Sequence, residues 1–307
     1  MVLITLASLL TPFGGSSVFG PSACAKTANA RFWFLAHVLF QFHPTPSDHM
    51  TEFAKFSGKA LVVLLVLAAV PSVSEAQQRI LVYTRNYTPD GKGYVHENIA
   101  SSVAAIKKMG EEKGFAVDVS DDANSFTDAN LKQYSALVFS NSNNEAFATE
   151  DQKGAFKNYI QHGGGFVGIH SATGSQRDWP YYWSVVGGKF VAHPKLQPFV
   201  VKVADPDFAA AKGLPAEFQW EDEPYFIDHV NPDIHPVLVI DRKKLLYMEA
   251  TTLNAESFAN PLPLAWYHRF DGGREFYVAL GHKKEDYANP ILYGIIENGI
   301  LWAMNGK

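Results

Sequence analysis

A single cysteine, Cys24, occurs in 307 residues, and none occurs from residue 77 onward. That part of the chain therefore has no disulfide and no cysteine nucleophile. Other signals are missing too. No Gly-x-Gly-x-x-Gly opens a helix after the first apolar run, so a bound dinucleotide is not expected. No Walker-type loop occurs, and the Gly-x-Ser-x-Gly of a serine hydrolase elbow is absent. Lys plus Arg total 26 against 31 Asp plus Glu, a net charge of −5, with no basic block. Nucleic-acid binding lacks the positive footprint it needs. No internal repeat and no low-complexity tract is visible.

What is present begins with an export signal in an unusual place. Met50 is followed by Lys55, Lys59 and an eleven-residue apolar run, Ala60 to Val70. Pro71 and then Ser74-Glu75-Ala76 follow, with small residues at the −3 and −1 positions of a cleavage site. These are the three parts of a secretory signal peptide. The run is too short for the roughly 20 residues of a membrane span, so no anchor is expected after cleavage. Residues 50–76 are therefore read as a signal peptide. Residues 1–49 are read as an extension from a misassigned start, and residues 77–307 as one α/β domain directed to the periplasm or outside. Cys24 precedes the apolar run and so is not a lipoprotein site.

Within that domain, strand-like and helix-like segments alternate. Ile80–Tyr83, Phe115–Val119, Ala136–Ser140 and the run at Phe166 read as strands. Helical faces at Ile99, Val103, Ile106 and Met109 and after the Thr149 capping box lie between them. The pattern predicts a mostly parallel sheet with helices on both faces. Further strands are expected at 199–203, 237–240, 245–250 and 264–269. Asp271-Gly272-Gly273 is expected to turn a hairpin into Glu275–Leu280, and a closing helix carries Ile291 to Trp302.

The segment Gly163 to Ala172 concentrates the chemistry. Glycines end a helix, a short apolar strand follows, and His170 stands where that strand leaves the sheet. Such a histidine is expected to face the crevice, so that truncating it costs little stability. His96, His193 and His282 also sit at loops or element ends beside glycine or proline. Glu221-Asp222-Glu223 is the best acidic cluster, in an aromatic setting that can raise a carboxyl pKa. His170, Glu223, His282 and His96 are the candidate catalytic groups. Tyr94, Asn141, Ser171, Trp179, His193 and Tyr225 are candidate substrate contacts, because aromatic faces beside polar groups suit a sugar. A divalent metal such as zinc is a further reading, with ligands among His96, His170, His193, His282 and Glu223.

Several motifs in order carry a family resemblance. They are Gly93-Tyr94-Val95-His96, Gly163 to Ser171, Val186 to Pro194, Glu221 to Tyr225 and Leu280-Gly281-His282. In these the chain resembles the ThuA-like (trehalose utilisation) proteins. The resemblance implies a flavodoxin-like fold similar to class I glutamine amidotransferases; with no cysteine after residue 76, that amidotransferase activity is excluded. Standing just before Pro224-Tyr225, Glu223 is the acid that the resemblance favours, and Asp222 is the reserve. It also implies a small-molecule carbohydrate partner. The expected function is breakdown of a glycoside or keto-sugar by His/Glu acid–base chemistry. The alternatives are a noncatalytic sugar-binding module and a metal-dependent hydrolase.

The signal predicts a mature chain beginning at Gln77. N-terminal sequencing of protein from its native host tests this. An intact chain starting at Met1 would reject both the start-site and the export readings.

Overall fold

The computed structural model describes residues 77–246 and 254–305. The segment 1–76 and positions 247–250 of the expected strand at 245–250 lie outside the described residues. The first half alternates strand and helix: β1 (Arg79–Tyr83), α1 (Ile99–Lys113), β2 (Ala116–Ser120), α2 (Asp128–Leu131), β3 (Ala136–Ser140), α3 (Glu150–Gln161) and β4 (Gly165–Ile169). The second half is α4 (Pro180–Val186), β5 (Lys189–Ala192), β6 (Gln197–Val203), β7 (Glu217–Asp222), β8 (Phe226–Asp228), β9 (His235–Ile240), β10 (Leu262–His268), β11 (Arg274–Val278) and α5 (Pro290–Met304).

Among the described residues, nine strands form one sheet in the order β2-β1-β3-β4-β11-β10-β9-β6-β7. From β2 to β11 neighbours run parallel; from β11 to β7 they run antiparallel. β5 and β8 pair separately. The fold is thus α/β and flavodoxin-like, with a parallel half extended by antiparallel strands.

Sequence chemistry accounts for these elements. All five residues of β3 and of β4 are buried, as strands covered on both faces require. Two glycines in β4 show the covering. A Cβ on Gly165 would lie 2.4 Å from the Ala303 carbonyl oxygen of α5, and one on Gly168 would lie 3.1 Å from the Val186 side chain of α4. Positions three apart in a strand face opposite sides, so α4 and α5 cover opposite faces. Thr149 and Gln152 close a reciprocal capping box on α3. Phe139, Phe156, Phe166 and Tyr182 pack with centroids 5.1–6.1 Å apart. Truncating one of these phenylalanines to alanine costs about 3–5 kcal/mol.

Three strands escape the sequence reading: β5, β7 and β8. In β7 the pattern is strict alternation, with Phe218, Trp220 and Asp222 buried and Glu217, Gln219 and Glu221 exposed. Its outward charges read as an acidic turn. The expected β10–β11 hairpin forms, with positive φ at Asp271 and Gly272, the backbone shape of a two-residue hairpin turn.

Glu275, in β11, is buried, and its carboxyl accepts from Phe270 N–H at 2.9 Å. Burial pushes its pKa from 4.5 to about 9. The folded state then holds a proton that the unfolded chain has released. This stability is fully present below pH 4.5 and is lost as pH rises through about 9. Glu275→Gln is expected to remove that alkaline loss. Melting temperatures at pH 6 and pH 9 check it; equal alkaline losses in both proteins would show that Glu275 is already ionised in the fold.

Candidate functional site

Five residues distant in sequence meet at the ends of the strands. His96 precedes α1, His170 follows β4, His193 follows β5, Glu223 follows β7, and His282 lies just beyond β11. Glu223 Oε2 stands 3.2 Å from His282 Nδ1, 3.6 Å from His193 Nε2 and 3.8 Å from His170 Nε2. The His96 ring meets His170 edge-on at 4.7 Å and His282 at 5.6 Å. A cavity of about 280 Å³ opens here, lined among others by Tyr94, Ser171, His193, Glu223, Tyr225 and His282.

The tautomers follow from the partners. His170 Nδ1 is 2.7 Å from the Ala279 carbonyl, which can only accept, so Nδ1 carries the proton. Nε2 then accepts from the Tyr225 hydroxyl at 2.9 Å. His193 Nδ1 lies 2.9 Å from the Pro194 carbonyl, and its Nε2 stands 3.6 Å from Glu223 Oε2. His96 Nδ1 shares a bond with Ser171 Oγ at 3.2 Å. His282 Nδ1 is buried and has no aligned hydrogen bond, although Glu223 is close.

Burial sets the electrostatics. It lowers the His96 pKa to about 3, helped by the neighbouring His170 and His282. It lowers His170 to about 4, against the Ala279 carbonyl and Glu223. Both rings are therefore neutral at pH 7. Glu223 raises His282 above its ordinary value, against the lowering by burial. Burial raises the Glu223 carboxyl, but His282, His193 and His170 outweigh it and the net direction is down. A carboxylate beside two neutral imidazoles could help to hold a divalent cation.

One ligand atom from each of His96, His170, Glu223 and His282 can be chosen so that all lie within 4.8 Å of one another. Ligands about 2.1 Å from one ion are at most about 4.2 Å apart, so the widest pair must close slightly on binding. His282 Nδ1, buried with only Glu223 close to it and no aligned hydrogen bond, fits such a role. His170 Nε2 fits once the Tyr225 hydroxyl turns away. His193, the fifth expected ligand, is outside this group.

Other expectations need correction. His170 belongs to the cluster at the cavity but is fully buried, at φ +50°, rather than exposed at its edge. Removing it leaves the Ala279 carbonyl and the Tyr225 hydroxyl without their partner, so the small stability cost expected for a strand-edge residue does not apply. Asn141 is also fully buried and serves as a strut, bonding Tyr287 Oη at 2.8 Å and Asn98 Nδ2 at 3.0 Å. Asn143, two residues on, reaches the cavity instead. Trp179 packs on Phe147 and Tyr181 and does not line the cavity. Arg177 and Phe190 do line it, without having been expected there. The visible signal for Arg177 was a basic residue seven positions after His170, in a loop with no helical or strand period.

Asp222 is not a cavity acid. Fully buried, it accepts from Trp220 Nε1 at 3.0 Å, Gly281 N–H at 2.8 Å and Glu223 N–H at 2.8 Å. It thereby fixes the backbones that carry Glu223 and His282. Asp222→Asn puts an NH₂ group against N–H donors and is expected to cost about 1–3 kcal/mol. Urea unfolding measures this; an unchanged midpoint would show that the pin is dispensable.

Known proteins place this architecture. The family model described as ThuA, trehalose utilisation, matches residues 79–303. A solved structure of a protein described as ThuA-like, from Bacteroides uniformis, superposes with a TM-score of 0.60 at 22% identity, covering 76% of this chain and 94% of its own. A second, from Parabacteroides merdae, gives 0.57 at 18% identity, covering 75% and 91%. At these identities the likeness concerns the fold. No curated protein matches the sequence. Over most of its length, and with its motifs in order on this fold, the chain belongs to the ThuA family.

Proposed function

We propose that this chain is an exported, metal-dependent enzyme of carbohydrate breakdown, acting on a glycoside or a keto-sugar derived from one. The carrying observation is the convergence of His96, His170, His282 and Glu223, with ligand atoms within 4.8 Å. Zinc is the ion we propose, held by these four groups, because imidazole and carboxylate donors suit it. When bound, such an ion polarises a carbonyl or lowers the pKa of a bound water. The export reading rests on the signal-like segment at 50–76.

The chain's own residues have separate tasks. His193 is left outside the ligand set, with Nε2 near Glu223, so it can take or give a proton. Phe190 and the exposed Tyr94 offer apolar faces to a sugar ring. The cavity, about 280 Å³, is small among ligand sites of roughly 300–1,000 Å³ and suits one ring better than a chain of them. The family description, trehalose utilisation, supports the sugar.

Metal content, metal affinity against pH, and the binding and turnover of sugars test the reading. Elemental analysis of protein purified without chelator is expected to find about one divalent ion per chain, lost in the Glu223→Gln, His282→Ala double variant. Affinity should fall as pH drops below neutrality, because His282, with its pKa raised by Glu223, must lose its proton to bind. The slope is about tenfold per pH unit for one displaced proton. Metal-free protein that turns over oxidised or ordinary disaccharides at full rate would return the mechanism to His/Glu acid–base chemistry. Binding of sugar without turnover in either state would mark a binding module.

A further inference from the structure

Arg177 lines the same cavity as Glu223 and His282. Among the described residues no carboxylate pairs with it. Asp178, the next residue, is engaged instead by Gln176 Nε2 at 2.9 Å. The guanidinium is held by neutral acceptors: Nε donates to the Gly174 carbonyl and Nη2 to Asn143 Oδ1, both at 2.9 Å. Its carbon lies 5.3 Å from the centre of the Phe190 ring.

Although the residue is exposed overall, its guanidinium is held in a defined mount. A Cβ on Gly174 would fall 2.6 Å from Asn143 Oδ1 and 3.0 Å from Arg177 Nη2, so only glycine leaves both groups in place. Asn143 is fixed in turn, donating its backbone N–H to the Arg85 carbonyl at 3.1 Å and accepting from Asn144 N–H at 3.0 Å. These bonds use Nε and one Nη2 hydrogen. Both Nη1 hydrogens and the second Nη2 hydrogen remain, which is the end-on fork that matches a carboxylate or phosphate. An oriented cation with no countercharge, on the wall of a small cavity, is a recognition element for an anion.

We infer that Arg177 receives an anionic oxygen pair on the substrate, and that the sugar bound here is acidic: a sugar carrying a carboxylate, or a phosphate presenting the same oxyanion. The charged group sits on the Arg177 fork while the ring lies toward the His/Glu cluster. The inference rests on the reading that the cavity holds a sugar, and names which class of sugar.

Calorimetric titration at 0.15 M salt tests it with four probes: glucuronate, glucose 6-phosphate, methyl glucoside and inorganic phosphate. Wild-type protein is expected to bind an acidic sugar about 10–100-fold more tightly than methyl glucoside, the gain typical of charge-assisted bonds. Glucuronate against glucose 6-phosphate tells carboxylate from phosphate. Arg177→Gln should bring the acidic sugar down to the level of the neutral one, with metal content and melting temperature as checks on the fold. Arg177→Lys, which keeps charge but loses the fork, should fall between. Equal binding of acidic and neutral sugars by wild type, or an acid preference that survives in Arg177→Gln, would overturn the inference. If no sugar binds, the sugar reading fails and inorganic phosphate decides the anion site alone. Loss of phosphate binding in Arg177→Gln upholds that site; equal binding, or none, to either protein rejects it.

Discussion

The site depends on one buried carboxylate. Asp222 ends β7, the outermost strand of the antiparallel half, yet it bonds the backbone of Gly281, just past β11. Four strand spacings separate β7 from β11, roughly 19 Å in a flat sheet. The contact therefore needs both the twist of the sheet and the reach of the segment after β11. Trp220 Nε1 and Glu223 N–H complete the ring of donors around Asp222. Burial raises the pKa of this carboxyl, while the donors from Gly281, Trp220 and Glu223 oppose the rise. Through these bonds an edge strand delivers Glu223 to histidines that come from the parallel half.

Around that pin the backbone is held in unusual shapes. Asn141, Asn144, His170 and Gln176 all have positive φ, and all lie in the two loops that follow β3 and β4. Asparagine adopts this region readily; histidine and glutamine do so at a cost of about 1–3 kcal/mol each. The loops offset it by zipping together. Asn144 and Gln176 bond through their backbones, and Gln176 Oε1 accepts from both Ala146 and Phe147 N–H. The strain aims His170 away from the strand axis and into contact with Tyr225.

How much of this could be read from the chain depended on distance along it. β1, β3 and β4 were legible because each is a continuous apolar run bounded by turn residues. Glu223 was distinguishable from Asp222 only by standing before Pro224-Tyr225; the physical reason, that β7 alternates and turns Asp222 inward, was hidden by the charges on its outer face. The position of His170 was legible, but its burial was not, because Tyr225 and the Ala279 carbonyl arrive from 55 and 109 residues away. Asn141 and Asn143 look alike in sequence; the loop path sends one into the protein and the other to the cavity. Arg177 stood out only as a basic residue in an irregular loop after His170; what marks it, the lack of a countercharge, is recorded by no local pattern.

Strand β11 is the last to be made and lies at the middle of the nine. It joins the parallel half to the antiparallel half, pairing with β4 on one side and β10 on the other, and the segment after it leads directly into His282. Without β11, both β4 and β10 would present an open edge, the surface by which β-structures associate wrongly. A chain cut short before β11 would lack both the central strand of the sheet and His282, so the architecture and the histidine–glutamate cluster share one dependence on the C-terminal segment.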